Sequence, residues 1–333
     1  MVVMTSLLHA QENTDTTTIK RVDKLEKILA KLPKISGFID VRYQYGKDIS
    51  SFDIRRARLD VKGDINKMFD YRLQLEFAPS PKILDAYTRI KIKPYFNIQL
   101  GSFKVPFTLE NPYSPTGLEL MDNAMAITKL CGYTDLSGIN ANGRDVGFMF
   151  YGGGLGKKGF NIIEYALGVF NGAGINIKDN NKSKDIVGRL NINPIKSLTL
   201  SASAYIGEMV LMVNGKAVDL YERRDRYAFG VKYDDKKFVF RSEYIAGLTS
   251  HTRSAGGYAL FGYTFIEKLT PAIRFDIFQD DIHKINTRQI NYTGGISYWI
   301  NKHFRCQIDY THQTFWDKKK NGGLLVAMVT AMF

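Results

Sequence analysis

The feature that most restricts what this chain can fold into is a hydropathy period of two that starts at Ile35 and persists to the last residues. Apolar and polar side chains alternate in Ile39-Asp40-Val41-Arg42-Tyr43-Gln44-Tyr45, in Ala57-Arg58-Leu59-Asp60-Val61-Lys62, in Tyr71-Arg72-Leu73-Gln74-Leu75-Glu76-Phe77 and in Phe304-Arg305-Cys306-Gln307-Ile308-Asp309-Tyr310. Successive side chains of a strand point to opposite faces, so this pattern describes strands with one apolar and one polar face. Sixteen such segments occur, at roughly 35–45, 52–63, 69–78, 83–93, 95–105, 143–151, 160–171, 184–193, 196–206, 224–233, 238–248, 253–266, 271–280, 288–300, 304–316 and 324–333. Most have the length with which a tilted strand crosses a bilayer, about 9–11 residues. No stretch free of Asp, Glu, Lys and Arg exceeds thirteen residues. A membrane-spanning helix needs about 20 mostly apolar residues, so a helical membrane protein is excluded. The 19 Tyr and 21 Phe argue against disorder, and two cysteines build neither a disulfide scaffold nor a cysteine-rich zinc site.

The links between segments sort by parity. After even-numbered segments they are short: 64–68, Pro94 alone, 152–159, 234–237 and 301–303. After odd-numbered ones several are long: 37 residues at 106–142, twelve at 172–183 and about seventeen at 207–223. A barrel with an even number of antiparallel strands, short turns at one end and long loops at the other has this arrangement, whereas a soluble sandwich has no reason for it. The sequence therefore predicts an all-β transmembrane antiparallel barrel of sixteen strands over 35–333. The final strand alternates into Phe333, a feature common in outer-membrane barrels. Residues 1–10 read as the remnant of a secretory signal. Residues 11–34 read as a polar segment followed by a short amphipathic helix, with Val22, Leu25, Leu29 and Leu32 at coiled-coil positions before Pro33. That helix either drives oligomerisation or packs on the barrel.

In such a barrel the apolar set meets lipid and the polar set meets water in the lumen. The expected lipid-facing residues are Val41, Leu59, Leu73, Ile90, Ile98, Phe148, Val169, Leu200, Phe240, Ile277, Ile296 and Ile308. Arg42, Arg58, Arg72, Arg89, Gln99, Arg189, Ser201, Arg241, Arg274 and Arg305 are expected to point inward. Tyr45, Phe77, Tyr95, Phe150, Trp299 and Trp316 lie near strand ends, where aromatic girdles form. Arg55 breaks the alternation and belongs at the rim or in a bulge. Over the first four strands the inward bases are Arg42, Arg56, Arg58, Lys62, Arg72, Arg89, Lys91 and Lys93, against the inward acids Asp40, Asp60, Glu76 and Asp85. With a net charge of +13 for the chain, a cationic wall in a narrow channel enriches anions. Ion pairing along the wall competes with this, and Asp60 is the acid best placed to pair with an arginine.

The segments FDIRRARLDVKG (52–63), LGSFKVPFTLEN (100–111), GRDVGFMFYG (143–152), LGVFNGAGIN (167–176) and DIVGRLNINP (185–194) resemble the phosphate-selective porin O and P family, over about 33–333. The resemblance implies a trimeric sixteen-stranded barrel in the bacterial outer membrane. It also implies that small anions pass along inward arginines and lysines, with the third outer loop, here 106–142, folded into the lumen. Arg56, Arg58, Lys104 and Arg144 fall inside the matching motifs and, with Arg42, Arg72 and Arg89, form the expected anion path. Loop 106–142 departs from this scheme. It carries Glu110, Glu119, Asp122 and Asp135 against Lys129, a net of −3. An acidic loop opposite a basic wall sets up a transverse field and weakens single-ion selectivity. Met121, Met125, Leu130 and Tyr133 are expected to pack on the wall, with Cys131 a buried thiol. The expected function is passive diffusion of small hydrophilic solutes with anions, phosphate or similar, preferred. The alternatives are a general or sugar-type porin, or a structural or adhesin barrel. The five histidines form neither a catalytic nor a metal-ligand spacing. No enzyme, cofactor, metal or nucleic-acid partner is expected.

Overall fold

The computed structural model describes residues 21–22, 32–156, 159–213, 216–316 and 321–333. The expected signal remnant at 1–10 and the helix over 18–32 lie outside the described residues, apart from Arg21, Val22 and Leu32, of which the first two are helical.

Among the described residues seventeen strands form one antiparallel sheet. They are β1 (Lys34–Gly46), β2 (Ile49–Asp64), β3 (Phe69–Glu76), β4 (Lys82–Lys93), β5 (Phe96–Lys104), β6 (Arg144–Gly154), β7 (Ile163–Phe170), β8 (Asp185–Ile195), β9 (Leu198–Ile206), β10 (Glu208–Val213), β11 (Lys216–Asp234), β12 (Phe238–Thr249), β13 (Thr252–Tyr263), β14 (Leu269–Gln279), β15 (Arg288–Asn301), β16 (Phe304–Phe315) and β17 (Gly322–Met332). The sheet closes where β1 pairs with β17, Val41 opposite Val329. β9 pairs directly with β11, and β10 pairs with β11 alone, so sixteen strands make the wall. The sixteen predicted segments match these wall strands. The correction is at 207–223, read as a plain loop: there β10 and the first part of β11 form a hairpin beyond the wall.

Burial fixes the faces. Val41, Leu73, Leu200, Ile296 and Ile308 stand on the outer surface, between 37% and 48% exposed, whereas Asp40, Arg58, Asp60, Gln74 and Asp85 beside them are at most 9% exposed. Arg55 is the extra residue of a bulge. Asp40 pairs with Arg56 while Val41 pairs with Ile54, so one residue is skipped and Arg55 joins Arg56 on the inner face. The bulge avoids the roughly 2–4 kcal/mol that arginine costs on the lipid face at the bilayer midplane. A second bulge skips Leu84 in β4, turning both it and Asp85 inward. Tyr45, Phe77 and Tyr95 are exposed as a girdle requires. Trp299 is not: it lies on the inner face opposite Arg305, whose guanidinium stacks 5.3 Å from its ring centroid.

The lumen is not uniformly wet. Phe103, Phe170, Val187, Tyr205, Ala228, Val239, Ile245, Tyr258, Leu260, Ala272 and Phe278 point inward from β5, β7–β9 and β11–β14, and all are buried. The β5–β6 loop covers them with Phe107, Leu120, Ala124, Ala126, Ile127, Cys131 and the one-turn helix α1 (Met125–Leu130). Met125 and Leu130 pack as expected, Tyr133 packs on the cluster, and Met121 meets Val326 and Met328. The protein thus has its hydrophobic core inside the barrel. Where the loop covers it, the inner face mixes these apolar residues with polar groups that bind the loop.

Candidate functional site: a channel between the loop and the β2–β8 wall

The wall arginines are paired far more completely than the sequence suggested. Arg42 forks to Asp53 (2.9 and 2.6 Å), Arg56 reaches Asp40 at 2.9 Å, and Arg58 reaches Glu76 at 2.6 Å. Arg72 contacts Asp60 at 2.6 Å and Asp85 at 3.1 Å. Arg89 takes Asp70 at 2.8 Å, Arg144 takes Asp85 at 2.6 Å, and Lys91 bridges Asp64 and Asp70. The expected excess of bases over acids on this wall overlooked Asp53, Asp64 and Asp70, which share the inner face. Alternation assigns a residue to a face; it does not show which residue of the next strand lies opposite, and register decides that.

The loop is fixed by reciprocal pairing. Its carboxylates meet arginines of the far wall: Glu110 and Glu119 hold Arg241 (3.2 and 2.8 Å), and Asp135 faces Arg226 (3.3 Å) and Arg224 (3.8 Å). Asp122 pairs with Arg55, and Lys129 lies 3.4 Å from Asp280. Wall acceptors in turn hold loop N–H groups. Glu243 accepts from Leu109 and Glu110, Ser203 from Thr108, Asp276 from Met125 and Asp309 from Met121, at 2.6–3.0 Å. A short loop segment inside a barrel has no neighbouring strand for its amides, and these side chains supply the missing acceptors. The excess acid of the loop is therefore spent on the β2, β11 and β12 arginines instead of forming a free transverse field. Burial pushes the Asp135 carboxyl up, but Arg224, Arg226 and the Ser137 hydrogen bonds outweigh it and hold the group below its ordinary value.

The open space lies on the other side of the loop. A cavity of about 490 Å³ reaches the short-turn end at Pro94, Gly152 and Asn161. Another, of about 270 Å³, reaches the long-loop end at Pro79, Lys82 and Asn142. Both are lined by Arg58, Lys104, Tyr113, Pro115 and Arg144, which therefore stand where the two cavities adjoin. Lys104 Nζ donates to the carbonyls of Asn111 and Tyr113, each at 2.6 Å, and so ties the loop to the wall where the cavities adjoin. The Tyr113 ring is braced by Arg241 at 5.0 Å and Lys232 at 5.6 Å. The larger cavity also takes Arg189, whose Nη1 donates to the Thr108 carbonyl at 2.9 Å.

Arg56, Arg58, Arg72, Lys104 and Arg144 of the expected anion path border these cavities; Arg42 and Arg89 border neither. Of the expected loop residues only Asp122 does. Glu119 lines a different recess, and Glu110, Lys129 and Asp135 are turned to the covered wall. Sequence reading left out Tyr113, Pro115 and Arg189 as residues of these cavities. Arg189 carries a signal, since it is inward by alternation and lies within DIVGRLNINP; Tyr113 and Pro115 carry none.

Comparison with known proteins follows from this geometry. The family model for phosphate-selective porin O and P matches residues 37–228. Among solved structures, the anion-selective porin from Comamonas acidovorans superposes with a TM-score of 0.66 at 13% identity, over 90% of this chain and 99% of that one. The outer membrane protein OmpT of Vibrio cholerae, in its trimer form, gives 0.65 at 11% identity over 90% and 99%. The outer membrane channel DcaP of Acinetobacter baumannii gives 0.61 at 11% identity over 90% and 97%. No curated protein matches the chain.

Proposed function

Since the chain belongs to the phosphate-selective porin O and P family, integral channels of the outer membrane, we propose that it passes small hydrophilic anions by passive diffusion between the β5–β6 loop and the β2–β8 wall. One observation carries the reading: cations outnumber carboxylates around both cavities. The larger is lined by Arg58, Arg72, Lys104, Arg144 and Arg189 against Asp85 and Glu164. The smaller is lined by Arg55, Arg56, Arg58, Lys82, Lys104 and Arg144 against Glu76 and Asp122. Arg189 hydrogen-bonds a carbonyl, which satisfies its donor without cancelling its charge. Unscreened cations in a narrow passage of low dielectric raise the local anion concentration. A structural neighbour named as an anion-selective porin is in keeping with this, and one solved in a trimer form supports a homotrimer here.

A second reading, a general porin with weak ion preference, is favoured by the close pairing of Arg42, Arg56, Arg58, Arg72, Arg89 and Arg144 with carboxylates. Planar-bilayer recording in a salt gradient separates the two. The proposed function requires a reversal potential of anionic sign that persists when phosphate replaces chloride. A potential near zero selects the general porin. A barrel that passes no current removes both readings and leaves a structural role.

A further inference from the structure

We propose that the ring of turns at the short-turn end of the barrel recognises anionic phospholipid in the leaflet that it faces. The seven turns, 65–68, 94–95, 155–162, 196–197, 235–237, 264–268 and 302–303, together hold eight lysines, no arginine and two acids, Asp235 and Glu267. Lys67, Lys196, Lys236, Lys237, Lys268 and Lys302 are all exposed. Among the described residues none of these six has a carboxylate within ion-pair distance; the paired lysines of this end, Lys91 with Asp64 and Lys232 with Asp234, stand on strands. Asp235 is held within its own turn, where it accepts from the Lys237 and Phe238 N–H groups at 3.0 and 2.7 Å and from the Tyr233 hydroxyl at 3.1 Å. None of the six lysines borders either channel cavity, so transport leaves them without a role.

Charge alone would suit any polyanion; the apolar neighbours of these lysines select a bilayer. Ile65, Ile195 and Ile266 are 66%, 52% and 90% exposed, each within two residues of Lys67, Lys196 or Lys268. Ile266 also holds a φ of 51°, where a β-branched residue is rarely found, at the tip of its turn. A soluble polyanion gives no reason for bare isoleucines beside each cation, whereas the boundary between acyl chains and headgroups rewards an apolar residue and a cation at one level. Aromatic side chains fix that level. Phe238, Phe265 and Phe304 are exposed at the strand ends, and Lys237, Lys268 and Lys302 stand one to three residues from them. At about 3.3 Å per residue the ammonium groups fall at headgroup depth. Lysine stems lie along apolar surface and carry their charge to the headgroups. The turns are distributed around the rim, so the attraction acts on the whole annulus, and it stands whatever solute the channel passes.

The test reconstitutes the full chain in phosphatidylcholine bilayers that contain a trace of spin-labelled lipid. The motionally restricted part of the electron spin resonance spectrum gives the association of labelled phosphatidylglycerol with the barrel relative to labelled phosphatidylcholine. Phosphatidylglycerol is expected to be preferred about threefold at low salt, and the preference to fall toward unity in about 0.5 M NaCl. It is expected to be lost at low salt in Lys67→Gln/Lys196→Gln/Lys236→Asn/Lys237→Gln/Lys268→Gln/Lys302→Gln. Asn is chosen at 236 because Lys236 has a φ of 78°. If that variant does not fold, two triple variants, at 67, 196 and 236 and at 237, 268 and 302, are each expected to lose about half of the preference. Equal association of the two lipids with the parent, or a preference that survives removal of all six lysines, overturns the ring. A parent without lipid preference that sediments with peptidoglycan through the same lysines also overturns it and assigns them to that polymer.

Discussion

Arg58 and Arg189 both line the larger cavity, yet removing them has different physical consequences. Arg58 is bonded to Glu76, which is 3% exposed. Arg58→Ala leaves that carboxylate buried with no cation and only the Ala57 N–H as donor, so the wall loses one positive charge and also about 3–5 kcal/mol of stability. Arg189 has a carbonyl partner instead, so Arg189→Gln removes charge and orphans no acid. The expected outcome is a reversal potential shifted toward cations in both variants. The temperature at which the folded band is lost on heat-modifiable gels falls only for Arg58→Ala. Were Arg189→Gln to leave the reversal potential unchanged, Arg189 would not act on permeating anions. Lys104 differs again, because its two carbonyl bonds hold Asn111 and Tyr113. Lys104→Met is expected to lower selectivity and to add conductance noise together.

At the scale of the element, the β5–β6 loop behaves as part of the wall. Its amides are held by Glu243, Ser203, Asp276 and Asp309, its acids by Arg55, Arg224, Arg226 and Arg241. Glu243 accepts from the Leu109 and Glu110 N–H groups and from the Tyr258 hydroxyl. Glu243→Gln turns one acceptor into a donor facing a donor, which is expected to cost about 1–3 kcal/mol and to produce open-channel current fluctuations absent from the parent. The contribution of Asp135 has a defined pH dependence. Its folded value lies below the ordinary 3.8, so the unfolded chain binds the proton first as pH falls. The stabilisation is whole above the ordinary value and is lost only as pH drops through the lower folded value. The stability difference between the parent and Asp135→Asn should accordingly stay constant from about pH 7 to about pH 4.5 and shrink below the carboxylate range. A difference that shrinks already near neutral pH would contradict the pairing with Arg224 and Arg226.

At the scale of the molecule, sixteen strands enclose a lumen that the loop fills against β11–β14, while the two cavities lie beside β2–β8, so the proposed solute path is off-centre. Closure depends on the β1–β17 seam, where Gly37 and Phe333 exchange backbone hydrogen bonds at 3.0 and 3.1 Å. A Cβ at Gly37 would lie 2.4 Å from the Arg58 carbonyl and 2.5 Å from the Phe333 ring. Gly37→Ala is expected to weaken the seam by about 1–3 kcal/mol, read as earlier loss of the folded band on heating. Phe333→Ala in the same background is expected to restore part of that loss, since it clears the ring contact and keeps the backbone pair. Deletion of residues 18–32 tests whether that segment sustains a trimer, through the oligomer mass in detergent.

By itself the sequence determined the strand number, the facing of most strand side chains and the anomaly at Arg55, because each follows from local alternation and the cost of charge in hydrocarbon; Leu84 and Trp299 escaped it because a bulge and a strand end reset the alternation. Which charges remain unmatched was decided only in three dimensions. Asp53 and Asp70 neutralise Arg42 and Arg89 through strand register, and loop acids distant in sequence engage Arg224, Arg226 and Arg241 across the lumen. Arg189 looks in the sequence like any other inward arginine. It is set apart because the nearest acceptor that folding brings to it is a carbonyl oxygen, and proximity of that kind is a property of the closed barrel.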